Sequence, residues 1–402
     1  MEAFPPHRVA RPARAPSGPQ VRAFLLCATA ALLPVGYVLA AGVPLLLAWV
    51  WENATRRRWP WEPSPVDRPL LVWVVVVAAS AALSPHPDLA LPNGVLLALG
   101  PVAAFAPALR TLKERPGLLR HLCAAWAAGG VVAGAWVVWR YAHAGGSGRG
   151  DLPELGWNAA GTVLVAASLL ALGLLLAAGP RWRALVAAAQ VPVLAGLLAT
   201  LSRGAWLGWV VGVVCATLLT GPVGRRLRWA GLGLSLAAVL AVAAVPQARA
   251  RALSVVDLHA HQDRVLLWKA ALRMVADHPW VGVGFGAFVR EYPNYRLPGD
   301  PNTTPPFAHN LPLSLAVETG VPGLVAFLVF LVRLMQLGLK GVLRGPPELR
   351  ALRAAAAGAM VGILAHQLVD GTLQSFHLGF AFWLLAGGLL APYGTRSSEV
   401  EG

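Results

Sequence analysis

The chain has 402 residues, of which 57% are hydrophobic and only 13% charged, with a mean hydropathy of +0.60. A soluble domain carries about 25% charged residues, so the composition excludes an ordinary soluble enzyme and reads as a polytopic membrane protein. A net charge of +15 would suggest a nucleic-acid partner in a soluble chain; here basic loops at a cytoplasmic membrane face account for it, and no nucleic acid is expected.

Residues 1–20 are rich in Pro and Arg and lack an apolar core, so they read as a disordered cytoplasmic N-terminus, not a cleavable signal peptide. Val21–Val50 carries one charge, Arg22. As a single helix it would reach about 45 Å against a hydrocarbon core of about 30 Å. Pro34, Gly36, Gly42 and Pro44 interrupt it, so two helices joined by a tight outer turn are expected. Further spans are expected at Pro69–Leu83, Asn93–Leu109, His121–Trp139, Ala159–Ala178, Ala184–Thr200, Gly204–Thr220 and Trp229–Val245. Three more follow at Asn310–Leu337, Ala354–Val369 and Phe376–Leu390. Cys27, Cys123 and Cys215 lie within apolar runs without CxxC spacing and read as buried small residues.

With the N-terminus inside, every short basic loop falls on the cytoplasmic side, among them the loops with Arg56–Arg58, Arg110–Arg120, Arg181–Arg183 and Arg225–Arg228. The positive-inside rule thus favours about twelve spans with both termini cytoplasmic. The expected fold is an all-α polytopic membrane protein with a large, partly helical extracytoplasmic loop between the ninth and tenth helices. Its parts are the N-terminus 1–20, nine helices in 21–245, the loop 246–308, three helices in 309–391 and a cytoplasmic tail 392–402. One other outer segment, Arg140–Asn158, is Gly-rich and reads as a flap, a rim or a connector.

The long loop holds most of the chain's polarity. Asp263–Asp277 repeats Val265, Trp268, Leu272 and Val275 at helical spacing, with Asp263 placed to cap it and His278-Pro279 to end it. Gly282-Val283-Gly284-Phe285-Gly286 is a turn that brings backbone close to something; without a dinucleotide fold around it, it is not a nucleotide site. Tyr292 and Tyr295, among several prolines, suit the lining of a sugar-binding cleft. Arg264, Arg290 and Arg296 suggest a phosphorylated substrate neutralised without metal, since Asp257, Asp263, Asp277 and Asp300 form no metal-ligand spacing. His259 and His261 are a weak metal candidate.

Three positions nearer the membrane stand out. Arg203, at the start of a span, either snorkels to headgroups or aims its fork of donors at a phosphate. His309, where the loop re-enters the membrane beside Asn310, is either a capping residue or an imidazole that takes a proton from an attacking hydroxyl. Glu318 lies two and a half turns further on, where a carboxylate is costly and often functional. It could orient His309, pair with an arginine or sit at a solvated entrance.

At these residues the chain resembles the O-antigen ligase and O-antigen polymerase superfamily. The resemblance rests on Ser202-Arg203-Gly204-Ala205-Trp206-Leu207-Gly208, the Arg264…Trp268 helix, and His278-Pro279 with Gly282-Val283-Gly284. It is completed by His309-Asn310 with Glu318-Thr319-Gly320 and Pro322-Gly323. It implies a GT-C-like, metal-independent inverting glycosyltransferase of the bacterial inner membrane that needs no cofactor. The donor would be a glycan on undecaprenyl diphosphate at the outer face, and the acceptor a lipid A-core or other surface hydroxyl, with a monomer as the expected state. Arg203 and Arg264 would hold the diphosphate and His309 would be catalytic. Arg290, Arg296, Tyr292, Tyr295, Asn310 and Glu318 are the expected substrate-binding residues. The one dominant outer loop favours a ligase over a repeat-unit polymerase, and transfer to protein stays open. A lipid-linked glycan transporter would be expected to show symmetry between its halves, whereas the polarity here is concentrated in one loop.

Overall fold

The computed structural model describes residues 17–145, 148–220, 229, 233, 242–254, 262–344 and 347–391. Most of the N-terminus 1–20, most of the Trp229–Val245 segment, His259, His261 and the tail 392–402 lie outside the described residues. Within them the chain is all-helical, with no strand.

The helices are α1 Gly18–Leu32, α2 Val38–Thr55, α3 Asp67–Leu83, α4 Pro87–Gly100, α5 Ala106–Glu114, α6 Leu118–His143, α7 Gly156–Ala177, α8 Pro180–Ala199 and α9 Arg203–Leu219. In the loop region come α10 Pro246–Leu253 and α11 Gln262–Asp277, followed by α12 Leu311–Arg344, α13 Pro347–Gln367 and α14 Phe376–Leu390. A π turn at Pro101–Phe105 joins α4 to α5 into one apolar stretch of 28 residues. Eight helical stretches among the described residues are long and apolar enough to cross a membrane, and α9 and α14 are shorter apolar helices. The break expected within Val21–Val50 falls at Leu33–Val35, where Pro34 cannot donate and Gly36 turns the chain with φ +92°.

Helix α7 is the axis of the bundle, buried for most of its length and packed on α6, α8, α9 and α13. The most extensive seam among the described helices lies between α9 and α13. A Cβ on Gly208 would stand 2.4 Å from the Gly362 carbonyl oxygen, and one on Gly362 would stand 2.6 Å from that of Gly208. Small residues four apart thus let two membrane helices touch backbone to backbone, which is the physical content of the Gly204-x-x-x-Gly208 spacing. The seam fixes Arg203, at the start of α9, against the far end of α13.

Helix α12 is broken at Gly320 (φ 70°, ψ 173°). The break frees two carbonyls, because Val321 donates instead to the Pro279 oxygen at 2.8 Å and Pro322 has no N–H. The glycine turn of the long loop supplies the missing donors. Val283 N–H bonds the Val317 oxygen and Gly284 N–H the Glu318 oxygen, both at 2.9 Å. The Ser80 hydroxyl adds a second bond to Glu318 O, also at 2.9 Å. Non-helical backbone at membrane depth is stable only when satisfied by protein in this way. The turn foreseen as a close backbone approach is therefore a re-entrant plug seated on the kink of a span.

At the other end of α1 the one charge of the first apolar run is paired. Arg22 bonds Glu52 at 2.7 Å, Glu114 and the Thr111 hydroxyl, and its guanidinium lies over Trp49. Removing one member of a buried ion pair leaves an uncompensated charge and costs about 3–5 kcal/mol. Arg22→Ala is therefore expected to lower the thermal unfolding midpoint of the detergent-solubilised protein markedly. A midpoint equal to the wild type would show that Glu52 is not held by this pair.

Candidate active site

The sequence elements that converge are the start of α9, the end of α10, the first turns of α11, the entrance to α12 and the turn after α13. Helix α11 is the organiser. Arg264, in its first turn, donates to the Val369 oxygen, and Trp268, one turn later, donates from Nε1 to the Ala308 oxygen at 2.9 Å. One helix thus pins the backbone immediately before both Asp370 and His309. It can do so because its other face is buried, with Leu267, Ala270, Ala271 and Met274 packed on Val283, Phe288, Tyr292 and Val317.

His309 Nδ1 and Asp370 Oδ1 are 3.4 Å apart. Such contacts are often long in unliganded sites and tighten with substrate. His309 takes a left-handed conformation, φ +51°, which costs a non-glycine residue energy and persists only where the surroundings impose it. They do so here. Ala308 N–H bonds the Ser314 hydroxyl at 3.0 Å, Asn310 Nδ2 bonds the Leu368 oxygen at 2.9 Å, and Asn310 Oδ1 accepts from Leu313 N–H at 2.9 Å. Asn310 therefore caps α12 and ties it to the end of α13. Phe307 stands edge-on to the imidazole at 4.9 Å.

Asp370 is 1% exposed, and its Oδ1 also accepts from Gly371 N–H at 2.7 Å. Burial alone would raise this carboxyl, but the His309 bond, the imidazoles of His366 and His309 and the Gly371 N–H together hold it below the usual carboxylate range. A carboxylate on Nδ1 fixes the imidazole so that Nε2 is the free nitrogen, the arrangement a proton acceptor needs.

Beside this pair lies a cluster of guanidinium groups. Arg203 donates to the Ser254 oxygen and hydroxyl at 2.8 and 2.9 Å. Arg149, from the 140–158 segment, donates to the oxygens of Thr200 and Leu201 at 3.1 and 3.0 Å and lies over Trp157. Arg251 reaches the same Leu201 oxygen at 3.4 Å. Leu201 itself has φ +50°, so two arginines clamp the strained turn that presents Arg203. Burial first, and then the charges of Arg251, Arg264 and Arg203, push the Arg149 guanidinium down to about 9. It remains charged at neutral pH. Like charges this close repel one another and become favourable around a polyanion.

Of the residues expected from sequence, Arg203, Arg264, His309 and Asn310 come together. The others bond elsewhere. Arg290 faces Asp88 at 3.3 Å, Arg296 holds the Asp300 oxygen, and the buried Tyr292 donates to Asp300. Tyr295 bonds Asp277 at 2.9 Å, and its phenol is pushed up to about 12 by burial and then by that carboxylate. These residues brace the 288–302 segment. Glu318 does not orient His309; its carboxylate accepts from Gly286 N–H at 3.0 Å and from the Gln374 amide. Asp370, Arg149 and Arg251 were not foreseen. The available signal for Asp370 was a lone carboxylate at the end of an apolar run, and for Arg149 a cation in the one other sizeable segment expected to face outward.

Fold and site together define a polytopic membrane protein that sets an imidazole–carboxylate pair beside a cationic cluster at one end of its bundle. The O-antigen ligase family model matches residues 188–328, a match that supports the resemblance to the O-antigen ligase superfamily. The family implies glycosyl transfer, by ligation or polymerisation, from lipid-linked glycans at a membrane. No curated protein matches the chain. Arg203, Arg251, Arg264 and His309 fall within the matched stretch, and Arg149 and Asp370 outside it.

Proposed function

We propose that the chain is an O-antigen ligase-like inverting glycosyltransferase that moves a glycan from undecaprenyl diphosphate to a hydroxyl of a lipid A-core or another surface acceptor. The observation that carries this reading is the double pin from α11, which sets His309 and Asp370 beside Arg264. His309 Nε2 accepts the proton of the acceptor hydroxyl, and the oxygen attacks the anomeric carbon opposite the diphosphate. The bond from that carbon to the diphosphate oxygen breaks, and the leaving diphosphate keeps the electron pair. Arg203 and Arg264, joined by Arg149 and Arg251, hold the charge that develops on it. Fixed positive charge aimed at a leaving group lowers the barrier without reorganisation. Asp370 keeps the imidazole oriented and stabilises its protonated form.

The polyprenyl tail lies in a lateral groove between spans. In this reading twelve spans put both termini in the cytoplasm of a bacterial inner membrane and the site at its outer face. The protein acts as a monomer without metal or nucleotide.

The test is a reconstituted transfer assay with an undecaprenyl diphosphate-linked repeat, with and without a lipid A-core acceptor. Glycosylated core, formed at an unchanged rate in EDTA, is the expected product. A ladder of longer lipid-linked glycans would instead make the protein a polymerase. Donor binding without any product would turn the reading toward transport, and a rate abolished by EDTA would remove the metal-independent mechanism.

A further inference from the structure

Beneath the site runs a buried chain of polar side chains that the transfer chemistry does not use. His366, 1% exposed near the end of α13, has Nδ1 3.0 Å from the Thr162 hydroxyl and Nε2 3.4 Å from the Ser202 hydroxyl. Ser202 donates to Asn158 Oδ1 at 2.9 Å. That leaves its oxygen to accept from His366 Nε2–H, while Nδ1 faces the Thr162 hydroxyl, which also stands 3.1 Å from the Asn158 backbone oxygen as a donor. On the other side Thr162 meets the Thr372 hydroxyl at 3.2 Å, and Gln367 Nε2 donates to Thr372 at 3.0 Å while its Oε1 accepts from Leu373 N–H at 3.0 Å.

The two ends of this chain are placed with purpose. Ser202 and Gly204 flank Arg203, and a Cβ on Gly204 would stand 2.7 Å from the His366 ring, so the imidazole is wedged against the backbone that carries the arginine. At the other end Gln367 and Thr372 bracket Asp370. Among the described residues, His366 is the side chain whose hydrogen bonds lead to both. Burying such a network costs energy unless every member is satisfied, and a satisfied one rigidifies what it joins.

We propose that His366 is a positioning residue, which by bridging Ser202 and Thr162 sets the separation between Arg203 and the His309–Asp370 pair. The proposal rests on the transferase reading above. Leaving-group charge and proton acceptor must lie on opposite sides of one sugar carbon, so an error of about 1 Å between them costs roughly a hundredfold in rate.

The experiment compares the reconstituted full chain with its His366→Phe and His366→Gln variants, using the undecaprenyl diphosphate-linked donor and whichever acceptor the wild type glycosylates. Phe keeps a flat aromatic ring, somewhat larger than imidazole, and removes both hydrogen bonds. His366→Phe is expected to lower kcat about 10- to 100-fold, with the donor KM and the thermal midpoint little changed. Gln keeps a donor that reaches Ser202, and is expected to restore most of the rate. Adding Ser202→Ala to His366→Phe should cost little more, since both break the same link. A wild-type kcat in His366→Phe, or a Gln variant as slow as Phe, overturns the proposal. If His366→Phe does not fold, Ser202→Ala and Thr162→Val each break one bond of the bridge; full rate in both overturns it, and a lowered kcat in both supports it. No transfer by the wild type itself overturns the transferase reading first, and this proposal with it.

Discussion

His309→Ala is expected to lower kcat by about 10²–10⁴-fold, the usual contribution of a positioned general base. The donor KM should move little, because the imidazole acts on the acceptor hydroxyl in the transition state and the diphosphate is held by other groups. His309 sits at φ +51° under bonds from both of its neighbours, and alanine, which keeps a Cβ, carries the same left-handed strain. Losing the imidazole also takes a partner from the buried Asp370, so the thermal midpoint is expected to fall below that of the wild type. An unchanged kcat in a folded His309→Ala protein would end the assignment. Asp370 supplies the pH argument. Its folded carboxyl is held below the ordinary range, so its contribution to stability is complete at neutral pH and is lost only as pH falls through that depressed value. Any fall in rate between pH 8 and about 5 therefore does not arise from titration of Asp370. Because the carboxylate stabilises the protonated imidazole, Asp370→Asn should move that fall to lower pH while lowering the maximal rate. A fall at the same pH in Asp370→Asn would show that the carboxylate does not act on the base.

Arg264→Ala should be the second large effect, with a different signature. The residue is asked to hold leaving-group charge and to pin the Val369 carbonyl next to Asp370. Loss of one preorganised charge donor typically costs about 10²–10³-fold in kcat, and here the donor KM should rise as well. Arg264→Lys keeps the charge but not the fork that spans carbonyl and phosphate, so it is expected to recover donor affinity more than rate. Because Arg264 and His309 act on one transition state, the double variant should fall well short of the product of the single losses. Full multiplicativity, measured in the same assay, would mean that the two residues do not share a site.

Much of the helical layout was legible because membrane spans announce themselves by composition. The break near Pro34 and Gly36 and the helix beginning near Asp263 follow from backbone chemistry that any sequence carries in place. Arg203, Arg264 and His309 were legible for a related reason: a charge or imidazole where an apolar run begins is costly and therefore conspicuous. What the sequence concealed is relational. Asp370 lies 61 residues from its partner His309, and only the packing of α12 against α13 brings them together. Arg149 arrives from a loop whose glycines said more about flexibility than about destination. Tyr292 and Glu318 bond within the protein, to Asp300 and to Gly286 and Gln374. Their residue types suit a sugar site, but an aromatic ring and a carboxylate serve equally well as a core filler and as a bracket for backbone N–H groups. Composition does not separate those uses.

The plug on α12 has a consequence for engineering. The long loop is the obvious segment to exchange between related proteins when a new acceptor is wanted. Its glycine turn, however, supplies backbone donors to the carbonyls of Val317 and Glu318. A graft that imports a loop without a matching turn would take the Val283 donor from the Val317 carbonyl and leave the Glu318 carbonyl to the Ser80 hydroxyl; an unsatisfied carbonyl in hydrocarbon costs several kcal/mol. The unit that can be transplanted therefore runs from α11 through the second half of α12. Chimeras cut at the apparent loop ends should fail at membrane insertion and folding, before any question of specificity arises.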